Sequence, residues 1–144
     1  MDWLATLKAF LLPIDHPLLQ QLRYPRRLQM RIGDGLWVRL VDVGAALSAR
    51  AYGGEGSVVF EVEDGFLPEN TGRWKVAGGT AAKTDEAADL AVDVRELGAT
   101  YLGGFTFGEL LRAGIIRELQ EGGAARADAL FLTNGPKPWC PEIF

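Results

Sequence analysis

The chain has 144 residues, 48% hydrophobic and 24% charged, a composition that excludes wholesale disorder and fits one globular domain. No apolar run approaches the roughly 18–20 residues of a membrane span, and the start Met1-Asp2-Trp3-Leu4 lacks the basic stretch of a secretory signal. The one cysteine, Cys140, excludes an internal disulfide and any multi-cysteine zinc site, so a cytoplasmic protein is expected.

The net charge of −4 is unevenly spread: residues 1–50 carry 7 basic and 4 acidic side chains, residues 51–100 carry 4 and 10. Arg23, Arg26, Arg27 and Arg31 form a basic cluster. A nucleic-acid track needs a longer basic face with aromatic stacking groups, so the cluster reads as a solvated or subunit-facing patch and no nucleic-acid partner is expected.

Residues 2–12 place Trp3, Leu4, Leu7, Phe10 and Leu11 close to helical spacing, and Pro13 ends that element. A short helix is predicted from Leu18 to Arg23. Leu28, Met30 and Ile32 alternate with Gln29 and Arg31, Gly33-Asp34-Gly35 reads as a turn, and Leu36 to Val41 resumes the pattern; a β-hairpin is predicted there. Asp42 is placed to cap a helix from Val43 to Arg50. A glycine loop at 53–56 precedes a strand from Ser57 to Val62, and Asp64 to Gly72 reads as a loop around Pro68 and Asn70. Arg73 to Val76 is a further strand, followed by the small-residue stretch Ala77 to Ala82.

Leu90 to Val92 is a short buried strand, and Asp93 caps a helix reaching about Leu102, stopped by Gly103-Gly104. Thr106 and Glu109 have the spacing of a capping box for a helix ending at Gly114. An edge strand at Ile115 to Leu119 and a last helix from Ala124 to Leu132 complete the pattern. Strands interspersed with helices predict an α+β domain, a mixed sheet with helices packed on it.

Most chemistry motifs are missing. His16 is the single histidine and sits in a turn between Asp15 and Pro17. The glycine runs at 53–56 and 78–79 lack the Gly-Lys-Ser/Thr ending of a phosphate loop, and no Gln/Arg-x-x-Gly-x-Gly/Ala pattern offers a coenzyme A site. No metal site and no bound cofactor are expected of this chain. The C-terminus is unusual: three prolines, Trp139, Cys140 and a final Glu142-Ile143-Phe144 read as a tail that docks on something. Cys140 reads as a small buried filler.

Several long segments resemble the C-terminal domain of N-acetyltransferases of the enhanced-intracellular-survival type. They are Gly33 to Val43 (GDGLWVRLVDV), Phe66 to Asn70 with Gly72-Arg73-Trp74, Leu97 to Gly104, Ala125 to Phe131, and the tail from Pro138 to Phe144. The resemblance implies a fold like sterol carrier protein type 2 for residues 15–144, with residues 1–14 as the helix that connects to a missing upstream domain. It implies an acetyl-CoA-dependent amine N-acetyltransferase whose upstream acetyltransferase domains hold the coenzyme and supply a tyrosine acid. This chain is then inactive alone and contributes a substrate pocket and an assembly surface for a homo-oligomer. In that context the α-carboxylate of Phe144 is the general base, and Trp37, Glu142 and Ile143 contact the amine substrate. The same fold implies an alternative, a sterol- or lipid-binding module with an apolar tunnel lined by side chains such as Leu36, Val38, Phe60, Phe105 and Phe107.

Overall fold

The computed structural model describes residues 12–33 and 35–140. The predicted helix over residues 2–12 therefore lies almost wholly outside the described residues, as do Glu142, Ile143 and Phe144. The chain divides into two compact units, Met1–Leu36 with Pro136–Phe144, and Trp37–Gly135.

In the first unit, helix α1 (Leu18–Gln21) is shorter than the sequence suggests. Its entry is fixed by His16, whose Nδ1 accepts from the Leu18 N–H at 3.1 Å. A 3-10 helix follows at Pro25–Leu28, seeded by the fixed φ of Pro25 at its start. The tail is tied back where the Lys137 N–H donates to Asp15 Oδ2 at 2.8 Å. Cys140 runs beside Gly35, its carbonyl oxygen 3.6 Å from where a Gly35 Cβ would stand.

The second unit carries a five-stranded mixed sheet in the order β3-β2-β1-β4-β5, an α+β arrangement as the sequence predicts. Its strands are β1 (Ser57–Glu63), β2 (Gly72–Ala77), β3 (Thr80–Lys83), β4 (Leu90–Asp93) and β5 (Arg117–Glu118). β1 pairs antiparallel with β2, setting Phe60 opposite Trp74, and parallel with β4, setting Phe60 opposite Leu90. The helices are α2 (Val43–Ala49), α3 (Val94–Tyr101), α4 (Phe107–Arg112) and α5 (Gly123–Phe131).

Residues of β1, β4 and all four helices meet in one core. Leu47, Phe60, Leu90, Leu97 and Phe107 are fully buried there, with Ala127 and Phe131 closing it from α5. Phe60 and Phe107 stack at 5.2 Å between centroids, and Phe131 meets both edge-on at 5.7 and 5.0 Å. Each such ring contributes on the order of 1.5–3 kcal/mol by burial.

Two readings need correction. Among the described residues, none between Leu28 and Asp42 belongs to a strand, so the hairpin does not form. Its first arm fails because the 3-10 helix consumes Leu28 and because Gln29 takes a left-handed conformation at φ 49°, which breaks an extended run. Its second arm keeps the alternation, with Leu40 buried and Val38 half-buried while Trp37, Arg39 and Val41 face out. It lies on a helix rather than beside a strand: a Cβ on Gly98 of α3 would meet the Val38 carbonyl oxygen at 2.3 Å. The second correction is β3, which lies in the stretch read only as small residues. Alanine is a poor strand former, but Gly78 and Gly79 both have positive φ (58° and 78°), as a two-residue hairpin turn requires.

Candidate functional surface

Segment 37–41 and the loop after β1 together present an outward face of Trp37, Arg39, Val41 and Phe66. Trp37 is 84% exposed and Phe66 77%. The Arg39 guanidinium lies 5.3 Å from the Phe66 ring centroid, a cation–π contact that orders both side chains.

This face is held from beneath by one buried carboxylate. Asp64 Oδ1 accepts from Arg39 Nη2 at 2.6 Å and from the backbone N–H groups of Phe66 and Leu67 at 3.0 Å each. Its other oxygen accepts from Asn70 Nδ2 at 2.9 Å. Desolvation alone would raise the Asp64 pKa. The donated hydrogen bonds from Asn70, Leu67, Phe66 and Arg39 outweigh it and hold the carboxyl well below the usual carboxylate range. Asn70 extends the network: its Nδ2 donates to the Val41 carbonyl at 3.0 Å, and its Oδ1 accepts from the Val43 N–H at 3.0 Å. Trp74 Nε1 donates to the Asn70 carbonyl at 2.7 Å. The loop, segment 37–41 and the start of α2 are thus one hydrogen-bonded body.

A second polar centre lies at Arg50. Its Nε donates to the Tyr101 carbonyl at 2.8 Å and its Nη2 to the Phe131 carbonyl at 2.7 Å, so one guanidinium caps the last residues of α3 and α5. Helix C-termini carry partial negative charge, which offsets the missing carboxylate. Burial pulls the Arg50 pKa below its ordinary value. Burial also pushes the neighbouring Tyr52 phenol up to about 12, and its hydroxyl donates to the Leu47 carbonyl at 2.6 Å.

The helix starts bear on coenzyme chemistry, because pyrophosphate binding uses free N–H groups there. In this unit several of them are engaged by the protein itself. Asp42 and Asn70 accept from α2, Asp93 from α3, Thr106 and Asp128 from α4, and Glu118 from α5. Those N–H groups are therefore not free to receive a pyrophosphate. Among them, no group of three or more His, Cys, Asp or Glu is placed to hold a metal ion. No helix of the described residues is long and apolar enough to cross a membrane.

Of the sequence-predicted substrate residues, Trp37 stands on the outward face, and Glu142, Ile143 and Phe144 lie outside the described residues. The five side chains proposed to line a lipid tunnel do not share one environment. Phe60 and Phe107 are fully buried against each other, Val38 packs on the core, and Leu36 and Phe105 are more than half exposed. Cys140 is half-buried. Sequence reasoning missed Asp64 and Arg50 as organising centres; the one available signal was the Phe66-to-Asn70 segment, whose Asn70 proves to be the hub's second member.

Residues 43–141, from the start of α2 into the tail, match the family model described as sterol carrier protein domain. The chain belongs to the sterol carrier protein domain family. This domain is 44% identical over its whole length to an uncharacterized N-acetyltransferase of Streptomyces avermitilis, of which it spans 36%. It is 39% identical over 110 residues, 72% of its length, to the N-acetyltransferase Eis of Mycobacterium tuberculosis, of which that match spans 26%. The crystal structure of Eis1 from Mycobacterium abscessus superposes with a TM-score of 0.80 at 42% identity, covering 92% of this chain and 34% of that one. The sterol carrier protein domain described here is thus of the kind found in Eis-like N-acetyltransferases, and it spans about a third of the length of such relatives.

Proposed function

We propose that this domain is the C-terminal part of an acetyl-CoA-dependent amine N-acetyltransferase, and that it does not transfer acetyl groups alone. The observation that carries the reading is the match along the chain to proteins named N-acetyltransferase that are about three times as long. The engaged helix starts support it from the other side, since they leave the coenzyme to the upstream acetyltransferase domains. Residues 1–14 serve as the connection to those domains, and residues 15–144 form the sterol-carrier-like domain.

In this reading the domain supplies part of the amine pocket, through Trp37, Glu142 and Ile143, and an assembly surface. An ammonium is not a nucleophile until it loses a proton, so a base must stand within hydrogen-bond reach. The α-carboxylate of Phe144 fills that role, four residues beyond the Cys140 that packs beside Gly35. A free α-carboxylate has a pKa near ~3.5 and is a weak base in water; burial in the assembled enzyme raises it, and its charge also holds the cationic amine.

Acetyl transfer from acetyl-CoA to an aminoglycoside tests both parts. This chain alone should show no turnover above the uncatalysed rate. Fused behind the upstream domains of the Streptomyces avermitilis relative, it should support turnover, and one extra glycine after Phe144 should abolish most of it. Turnover by the 144-residue chain alone refutes the dependence on upstream domains, and an unchanged rate with the added glycine removes Phe144 from the mechanism.

A further inference from the structure

The arginine cluster of the first unit is unused by this reading, and its geometry is specific. Arg23 and Arg27 both stack on Tyr24, their guanidinium carbons 5.3 and 5.4 Å from its ring centroid. Two like charges are thereby kept within roughly 11 Å of one another by a shared ring. The 3-10 helix that begins at Pro25 carries Arg26 and Arg27 in its last turn. These residues line a shallow depression of ≈ 360 Å³ formed by Arg23, Tyr24, Pro25, Arg26 and Arg27.

Among the described residues no carboxylate lines that depression, and none of Arg23, Arg26, Arg27 or Arg31 makes an ion pair. The first unit's one described acidic side chain, Asp15, accepts from the Lys137 N–H and does not line the depression. Four arginines of the second unit do have carboxylate partners: Arg39 with Asp64, Arg73 with Glu61, Arg95 with Asp93 and Arg126 with Asp89. Guanidiniums without a carboxylate partner among the described residues repel one another, and holding two of them on one ring removes rotamer freedom that a ligand would otherwise have to remove.

We propose that the depression over Tyr24 binds a multivalent phosphate group through Arg23, Arg26 and Arg27. The planar guanidinium fork matches phosphate oxygens two at a time, and several forks lining one depression suit a di- or triphosphate better than a single carboxylate. Such a group arrives either on a soluble polyphosphate or on an anionic lipid headgroup, and both present the same oxygens.

Titration calorimetry of the 144-residue chain with inorganic tripolyphosphate is the first arm. Saturable binding is expected, weakened on the order of tenfold by Arg27→Ala, because one charge-assisted contact is lost. Tyr24→Leu, which keeps every charge but frees the two arginines, should weaken it as well. Arg117→Ala, an exposed arginine on β5 without an ion pair, should leave it unchanged. Sedimentation with phosphatidylcholine vesicles doped with phosphatidylinositol 4,5-bisphosphate, whose headgroup bears clustered phosphates, is the second arm. Co-sedimentation lost in Arg27→Ala supports a lipid-borne phosphate, and tripolyphosphate binding without co-sedimentation supports a soluble one. Absence of saturable tripolyphosphate binding, or an equal loss in Arg117→Ala, overturns the proposal.

Discussion

Asp64 and Asn70 face each other from positions six apart in one loop, the Asn70 Nδ2 donating to Asp64 Oδ2 at 2.9 Å with both residues buried. The pair is complementary. Asp64 collects donors from Arg39, Phe66 and Leu67, while Asn70 passes the order on to Val41 and Val43. No buried side-chain polar atom among the described residues lacks a partner, which an ionised carboxylate in such a place requires.

That ionisation gives a stability signature in acid. The folded pKa of Asp64 lies below its unfolded value, so its contribution is complete above the unfolded pKa and is lost as the pH falls through the folded one. Asp64→Asn keeps the shape but sets an amide group against the donors of Arg39 and Asn70. Urea unfolding between pH 2 and 7 should show the wild type more stable near neutrality. The gap to the variant should narrow progressively below about pH 5. Parallel curves would mean that Asp64 is not the charged centre of the hub.

Arg50 offers a test of the shared helix cap. A lysine at this position keeps the charge but delivers its donors from one point, so it cannot reach the Tyr101 and Phe131 carbonyls together as the planar fork does. Arg50→Lys should destabilise the domain by about 1–2 kcal/mol, the scale of one lost charge-assisted bond at a helix end. Urea midpoints measure it. Hydrogen exchange should quicken at the last turns of both α3 and α5, and a change confined to one helix would contradict the bridging role.

The three-ring contact of Phe60, Phe107 and Phe131 decides between a filled core and a ligand tunnel. Phe107→Ala should cost about 3–5 kcal/mol, a large share of the 5–15 kcal/mol typical of a domain. A tunnel that already held empty space would tolerate the truncation, with a loss well under 2 kcal/mol on the same urea measurement.

The local signals in the sequence translated well. Asp42, Asp93, and Thr106 with Glu109 are caps in the structure because each acts on N–H groups two or three residues away. Long-range pairings were not legible: Arg39 finds Asp64 across 25 residues, and Arg50 finds Phe131 across 81. The hairpin failed for a related reason. Alternation at Val38 and Leu40 specifies an extended segment with one buried face, but it does not say whether a strand or a helix covers that face. Of the candidate site, the sequence marks Trp37 as part of a motif, and only the Asp64–Asn70 network explains how the segment bearing it is held.

Gly98 is where that segment meets its support, and two opposing effects make it informative. In the middle of a helix, alanine is favoured over glycine by about 1 kcal/mol, so Gly98→Ala would stabilise α3 taken alone. The added methyl, however, would stand 2.3 Å from the Val38 carbonyl oxygen and 3.3 Å from its carbonyl carbon. Those atoms are backbone, tied on one side to buried Leu40 and beyond it to the Val41 carbonyl held by Asn70. They cannot swing aside as a side chain would, and overpacking of this kind costs about 1–3 kcal/mol. The clash should therefore outweigh the helix gain and lower the urea midpoint. Amide exchange should accelerate at Leu40 to Val43 while the β1–β2 ladder stays protected. A variant more stable than the wild type would show that residues 37–41 do not rest on α3, and the outward face carrying Trp37 would lose its foundation.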